Sequence, residues 1–147
     1  MKTVRVQSQD FDPGAELALL DSLGAGAVAS FTGLVRGDDG VDRLVLEHYP
    51  GMTQRSLEML VETACARWPL LGAIVIHRIG ELAMGERIVF VGTASAHRAA
   101  ALEACAFLID QLKTSAPFWK QEWVSGKSRW VDARAGDADA SARWLKD

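Results

Sequence analysis

Seven basic residues fall where a structural element should begin or end: Arg36, His97, Arg98, Lys113, Lys120, Lys127 and Arg134. His97 and Arg98 follow Thr93 and Ser95 at the start of a predicted helix that leaves an apolar strand. Free backbone N–H groups and the positive end of the helix dipole favour an anion there, and two basic side chains add charge and donors. Helix starts ordinarily prefer acidic residues, so a His-Arg pair is locally unfavourable unless an anion is expected. The plainer alternative is an exposed first turn with incidental charges. Lys113 closes the same helix, where a cation is ordinary and stabilising. Lys120 is less ordinary. It follows Pro117-Phe118-Trp119, and in a strand it would share a face with Phe118 and Glu122. A lysine among aromatics and other cations is the type that can do acid–base work near neutrality, although Glu122 would oppose that.

Other chemistries find no residues to carry them. No Gly-rich phosphate loop, nucleophile elbow or Cys/His cluster of metal-ligand spacing is present in the sequence. The net charge of -3 argues against general nucleic-acid binding, which needs a basic surface, but leaves room for a local basic pocket. Cys65 and Cys105 fall inside predicted helices without ligand spacing and read as small, largely buried residues of a cytoplasmic protein. His48 and His77 lie at strand ends and read as satisfied structural histidines. Trp119, Trp123 and Trp130 read as core or pocket-wall residues. The first ten residues, M-K-T-V-R-V-Q-S-Q-D, carry charges where a signal peptide would be apolar, and no run approaches the ~20 apolar residues a membrane span needs.

The elements that would position these cations follow from periodicity. Residues 2–7 alternate as a strand, and Asp12-Pro13 opens a helix whose core face is Leu17, Leu20 and Leu23. Residues 26–36 and 42–48 read as two strands joined across Gly37-Asp38-Asp39-Gly40, a predicted hairpin. A helix is expected over 53–68, stopped by Pro69, and then a strand over 72–79. Residues 81–86 read as a connection. Residues 87–93, R-I-V-F-V-G-T, form the most apolar strand and are expected to be central. The long helix runs over about 96–113. Strands at 118–124 and 128–133, around Ser125-Gly126-Lys127, make a C-terminal hairpin. The tail after about 134 is Ala/Asp-rich, with a turn or two of helix expected near Ser141–Leu145. At 147 residues, with no linker or repeat, this is one domain with the order βαββαββαββ, which indicates an α+β fold rather than a doubly wound sheet. One distance constrains the chemistry. His97 and Lys113 are sixteen residues apart on one helix, about 24 Å at 1.5 Å per residue. A small substrate touching both types of end would need a second copy of the chain, most simply a two-fold homodimer.

Six segments in order, S-F-T-G-L-V-R (30–36), L-E-H-Y-P-G-M-T (46–53), V-I-H-R-I-G-E-L (75–82), S-A-H-R (95–98), L-K-T-S-A-P-F-W-K (112–120) and R-W-V-D-A-R (129–134), resemble the large, catalytic subunit of molybdopterin synthase. That resemblance spans about Gly26 to Arg134. It implies an α+β fold of the α/β-hammerhead type, with a mixed or antiparallel sheet, and a homodimer with one small ubiquitin-like carrier per protomer. The carrier would end in a Gly-Gly thiocarboxylate and pass sulfur to cyclic pyranopterin monophosphate. No metal or organic cofactor, nucleic acid or membrane is implied. By the same resemblance, Lys113 and Lys120 match the two active-site lysines, and Arg36, His97 and Arg98 the anion and substrate pocket. Phe31 matches a pocket wall and Arg134 a further basic residue. Leu34 and Ser115 stand where some relatives have basic residues, a departure that bears on pocket charge or partner contacts more than on the reaction. Two other classes remain to be weighed: a non-catalytic dimeric module that docks a ubiquitin-like tail, and a phosphate sensor using Ser95–Arg98 alone.

Overall fold

The computed structural model describes residues 1–37, 40–124, 126–131, 142 and 144, with residue 41 and residues 129–131 described by backbone alone. In chain order the elements are β1 (Lys2–Gln7), α1 (Pro13–Asp21), β2 (Ala27–Leu34), β3 (Val41–His48), α2 (Met52–Arg67), β4 (Leu70–Arg78), β5 (Gly80–Ala83), β6 (Arg87–Ser95), α3 (Arg98–Ser115), β7 (Phe118–Val124) and β8 (Lys127–Val131). They form two four-stranded sheets, ordered β1-β4-β6-β2 and β5-β3-β7-β8. Only β1 and β4 run parallel; the remaining neighbours are antiparallel. The α+β expectation holds. No helix among the described residues is long and apolar enough to cross a membrane.

Strand alternation divides the core in two. On β4, Ala73 and Val75 join Val89 and Val91 of β6, the inner faces of α2 and α3, and Leu44 and Leu46 of β3 in one cluster. The intervening Ile74 and Ile76 face the other way and pack with Phe90, Phe11 and Leu20 beneath α1. Helix α1 begins as the sequence predicts, with the Asp12 carboxylate accepting from the Gly14 N–H at 3.0 Å and proline at its first position. Helix α3 buries Ala101, Ala104, Cys105, Leu108 and Leu112, an i, i+3, i+4 stripe. Burying leucines such as Leu108 and Leu112 fixes the C-terminal end of the helix, at about 1.5–3 kcal/mol each. Strand β6 lies inside its sheet and is buried over most of its length, as its composition predicts.

Two expectations are corrected. Residues 26–48 do not form a hairpin. β2 pairs with β6, and β3 lies in the other sheet between β5 and β7. The register breaks between Gly33 and Leu34, and Val35 then exchanges backbone hydrogen bonds with the 85–86 turn, carrying the chain out of the first sheet. Asp38 and Asp39 of the predicted turn lie outside the described residues. The stretch read as a connection at 81–86 contains strand β5, in which Leu82 is fully buried between exposed neighbours. Four residues are too short to register as a periodicity. The C-terminal hairpin is present as β7 and β8. The tail expected to be helical near Ser141–Leu145 lies largely outside the described residues.

Candidate active site

Lys113 and Lys120 reach the same neighbourhood from different elements. Lys113 stands in the last turn of α3. Lys120 stands on β7 opposite Leu46, which is buried, and two places from Phe118, which packs against the main core. Cross-strand partners share a face, so Phe118, Lys120 and Glu122 form the inner row of β7. Trp119 and Trp123 lie in the outer row. Trp119 is 47% exposed and meets Tyr49 edge-on at 5.1 Å, so of the two expected places, core or pocket wall, it does not take the core. Trp123 carries the Arg43 guanidinium 4.4 Å above its ring. The side chain of Trp130 lies outside what the structure describes.

On the first sheet, His77 is the residue whose ring both lysines act on. It is 3% exposed and stands on β4 in line with Ala73 and Val75, so it points into the core. Its ring stacks on Phe118 with centroids 3.8 Å apart and planes 20° apart. Its Nδ1 lies 2.8 Å from the Arg78 carbonyl oxygen. A carbonyl only accepts, so Nδ1 carries the hydrogen and Nε2 keeps a lone pair. Burial holds the imidazole down at about 3, and the positive charges of Lys113 and Lys120 push the same way against that hydrogen bond. Both lysines are therefore close enough to act on the ring, which is neutral at physiological pH. Residue types alone suggested a satisfied structural histidine. The hydrogen bond agrees with that reading, to which the structure adds the charges of two lysines acting on the ring. The available signal was strand alternation, which puts a polar side chain in an apolar inward row.

The adjoining residue faces the other way. Arg78 is buried, and its guanidinium donates to the Ser8 and Arg87 carbonyls at 3.0 Å and to Glu86 at 3.3 Å. The Glu86 carboxylate also accepts from the Ala83 N–H at 2.6 Å, and chiefly that bond holds it below the usual carboxylate range. This fixes the turn to which Arg36 is tied, since Val35 N–H donates to the Glu86 carbonyl and Gly85 N–H to the Val35 carbonyl. Arg36 itself is exposed just beyond. Phe31, on edge strand β2, is 39% exposed.

His97 and Arg98 stand at the other end of α3. His97 is the N-cap residue but makes no side-chain capping bond, the first turn holds no acidic residue, and both side chains are exposed. The first turn is thus open to an anion. The chain before it passes close to β2: a Cβ on Gly26 would sit 2.3 Å from the Ala96 carbonyl oxygen, so only glycine fits there. The structure separates His97–Arg98 from Lys113–Lys120 by the length of α3. Lys127 is exposed at the start of β8, and Arg134 lies outside the described residues. Neither cysteine is poised as a nucleophile. Burial raises the Cys105 thiol to about 11 and also raises Cys65.

Fold and site together are those of a mixed α+β enzyme subunit with two lysines at a sheet–helix junction and a basic helix start. The family model described as "MoaE protein" matches residues 6–115. The molybdopterin synthase catalytic subunit of Ralstonia nicotianae is 51% identical over 149 residues, covering 98% of this chain and 85% of that one. Among solved structures, the molybdopterin biosynthesis MoaE protein from Burkholderia ambifaria matches with a TM-score of 0.85 and 45% identity, covering 100% of both chains. A chain of the complex of subunits 1 and 2 of molybdopterin-converting factor from Helicobacter pylori has the same fold, with a TM-score of 0.71, 22% identity, and 90% of this chain and 91% of that one covered. The chain belongs to the MoaE family of molybdopterin synthase catalytic subunits.

Proposed function

We propose that this chain transfers sulfur to cyclic pyranopterin monophosphate from the C-terminal thiocarboxylate of a small ubiquitin-like carrier, two transfers giving the dithiolene of molybdopterin. Residues 1–147 would work as one domain of a homodimer, with one carrier per protomer. The observation that supports this reading is that Lys113 and Lys120, from two segments of the sequence, both act electrostatically on one buried ring. The Helicobacter pylori complex of two subunits supports a small-subunit partner.

The residue types suit the steps. A thiocarboxylate is already a nucleophile, so the protein needs none of its own, in keeping with two thiols that burial makes poor thiolates. Arg36, His97 and Arg98 hold the cyclic phosphate and offset charge as its ring opens. Phe31 forms an apolar wall, and Arg134 adds positive charge. Lys120 exchanges the proton at the reacting centre, and Lys113 orients the carrier's terminal carbonyl and assists. No metal or organic cofactor takes part. The reaction belongs in the cytoplasm, where the two free cysteines stay reduced.

The test is reconstitution with a thiocarboxylated carrier ending in Gly-Gly and the cyclic pterin, read as molybdopterin formed in a single turnover. Product from the wild-type chain is expected, with losses of at least a hundredfold in Lys120→Ala and at least tenfold in Lys113→Ala. Carrier binding without product would make the chain a docking module. Normal rates in both variants would remove the lysines from the chemistry.

A further inference from the structure

His77 joins the two sheets through its ring. Its ring belongs to β4 of the first sheet, and the ring it lies on, Phe118, opens β7 of the second. Phe118 and Lys120 occupy alternate places on one face of β7, so whatever fixes the Phe118 ring fixes the row that presents Lys120. The His77 ring cannot rotate freely, because Nδ1 is bonded to the Arg78 carbonyl at 2.8 Å. Arg78 is in turn bound to the Ser8 and Arg87 carbonyls. The backbone just before Phe118 is held separately, by the Thr53 hydroxyl donating to the Pro117 carbonyl at 3.0 Å. Lys113, in the last turn of α3, carries one of the two positive charges that act on the His77 ring.

We propose that His77 is a positioning residue for the lysine pair: its pinned ring stacks on Phe118 and orients the inner row of β7 that presents Lys120. This rests on the sulfur-transfer reading for its consequence in rate, though not for its geometry. A ring of this size and neutrality is required, and a cationic one would put a third positive charge beside two lysines. The imidazole itself transfers no proton.

The experiment compares His77→Leu, which removes the ring, with His77→Phe, which keeps a neutral ring, and with Phe118→Leu, which removes the other half of the stack. Single-turnover molybdopterin formation is expected to fall at least tenfold in His77→Leu and Phe118→Leu. In His77→Phe it stays within threefold of wild type, and carrier Kd stays within twofold in all three. A second readout needs no substrate. Lysines are acetylated with limiting acetic anhydride and mapped by mass spectrometry, and the Lys120 to Lys113 modification ratio is expected to change at least threefold in the two leucine variants and to stay near wild type in His77→Phe. If wild type itself forms no molybdopterin, the sulfur-transfer reading fails while the acetylation ratios still judge the positioning. Should His77→Leu not fold, Phe118→Leu at the half-buried partner carries the same comparison. Wild-type rates and ratios in the leucine variants would overturn the proposal. So would a His77→Phe chain no better than His77→Leu, since the ring would then act by something other than stacking.

Discussion

A histidine kept neutral inside the core makes the protein sensitive to acid. In the unfolded chain His77 takes a proton near 6.5, whereas in the folded protein burial delays this to about 3. Between those values the unfolded state holds the extra proton, so stability is complete above 6.5 and declines as pH falls through that window. The slope approaches 1.4 kcal/mol per pH unit, which gives a loss of about 2 kcal/mol between pH 7.5 and pH 5. Groups around the ring do not reverse the sign, because Lys113 and Lys120 are both positive and add to the cost of charging it. Asp10 and Glu86, whose folded forms are held low chiefly by backbone N–H groups, begin to matter only below about their ordinary values of 3.8 and 4.5. The check is urea unfolding at pH 7.5 and pH 5 on wild type and His77→Phe. Wild type should lose about 2 kcal/mol more than the variant on acidification. Equal losses would mean that His77 charges in place without penalty.

At the scale of elements, a buried hydroxyl ties down the chain just before the segment that presents Lys120. Thr53, fully buried at the start of α2, accepts from the Tyr49 N–H at 3.1 Å and donates to the Pro117 carbonyl at 3.0 Å. Thr53→Val keeps the shape but leaves a backbone donor and acceptor without partners, so unfolding free energy should fall by about 1–3 kcal/mol. The rate of sulfur transfer should fall with it, because β7 then starts less firmly. Calorimetry and the single-turnover assay on Thr53→Val check both, and an unchanged melting temperature would show that the hydroxyl is dispensable. This anchor explains what could be read in the sequence and what could not. Tyr49-Pro50-Gly51 followed by a helix is a local signal, and Gly51 sits at φ 81°, a conformation that favours glycine. That the helix's first buried threonine would hold a segment sixty-four residues away is a tertiary fact with no local trace. The same division holds elsewhere. The Asp12-Pro13 cap, the α3 stripe and the β7–β8 hairpin were legible because cap, period and turn are short-range. The mispaired β2 and β3 were not, because an apolar strand takes whichever neighbour buries it, and β6 lies fifty-odd residues on. At the site, the basic residues were legible by type and position, and alternation could mark His77 as an inward polar residue, but its stack on Phe118 joins two sheets and leaves no local trace.

At the scale of the molecule, α3 decides how complete one copy can be. The helix runs Arg98–Ser115 without a break, so His97–Arg98 and Lys113 are held about 24 Å apart at 1.5 Å per residue. A cyclic phosphate held by His97 and Arg98 cannot also reach the lysine end of that copy, whereas a two-fold dimer can bring the lysine end of one chain to the basic helix start of the other. Each dimer would then hold two pockets, and each pocket would need both chains. Lys120→Ala and His97→Ala proteins, each inactive alone, provide the measurement. Mixed in equal amounts and allowed to exchange, half of the dimers carry one chain of each kind, and each of these has one pocket with both groups intact. About a quarter of wild-type activity should therefore return. Native mass spectrometry on the same mixture confirms that the mixed dimer has formed. If it has and no activity returns, each protomer builds its pocket from its own residues, and the basic helix start serves some other anion.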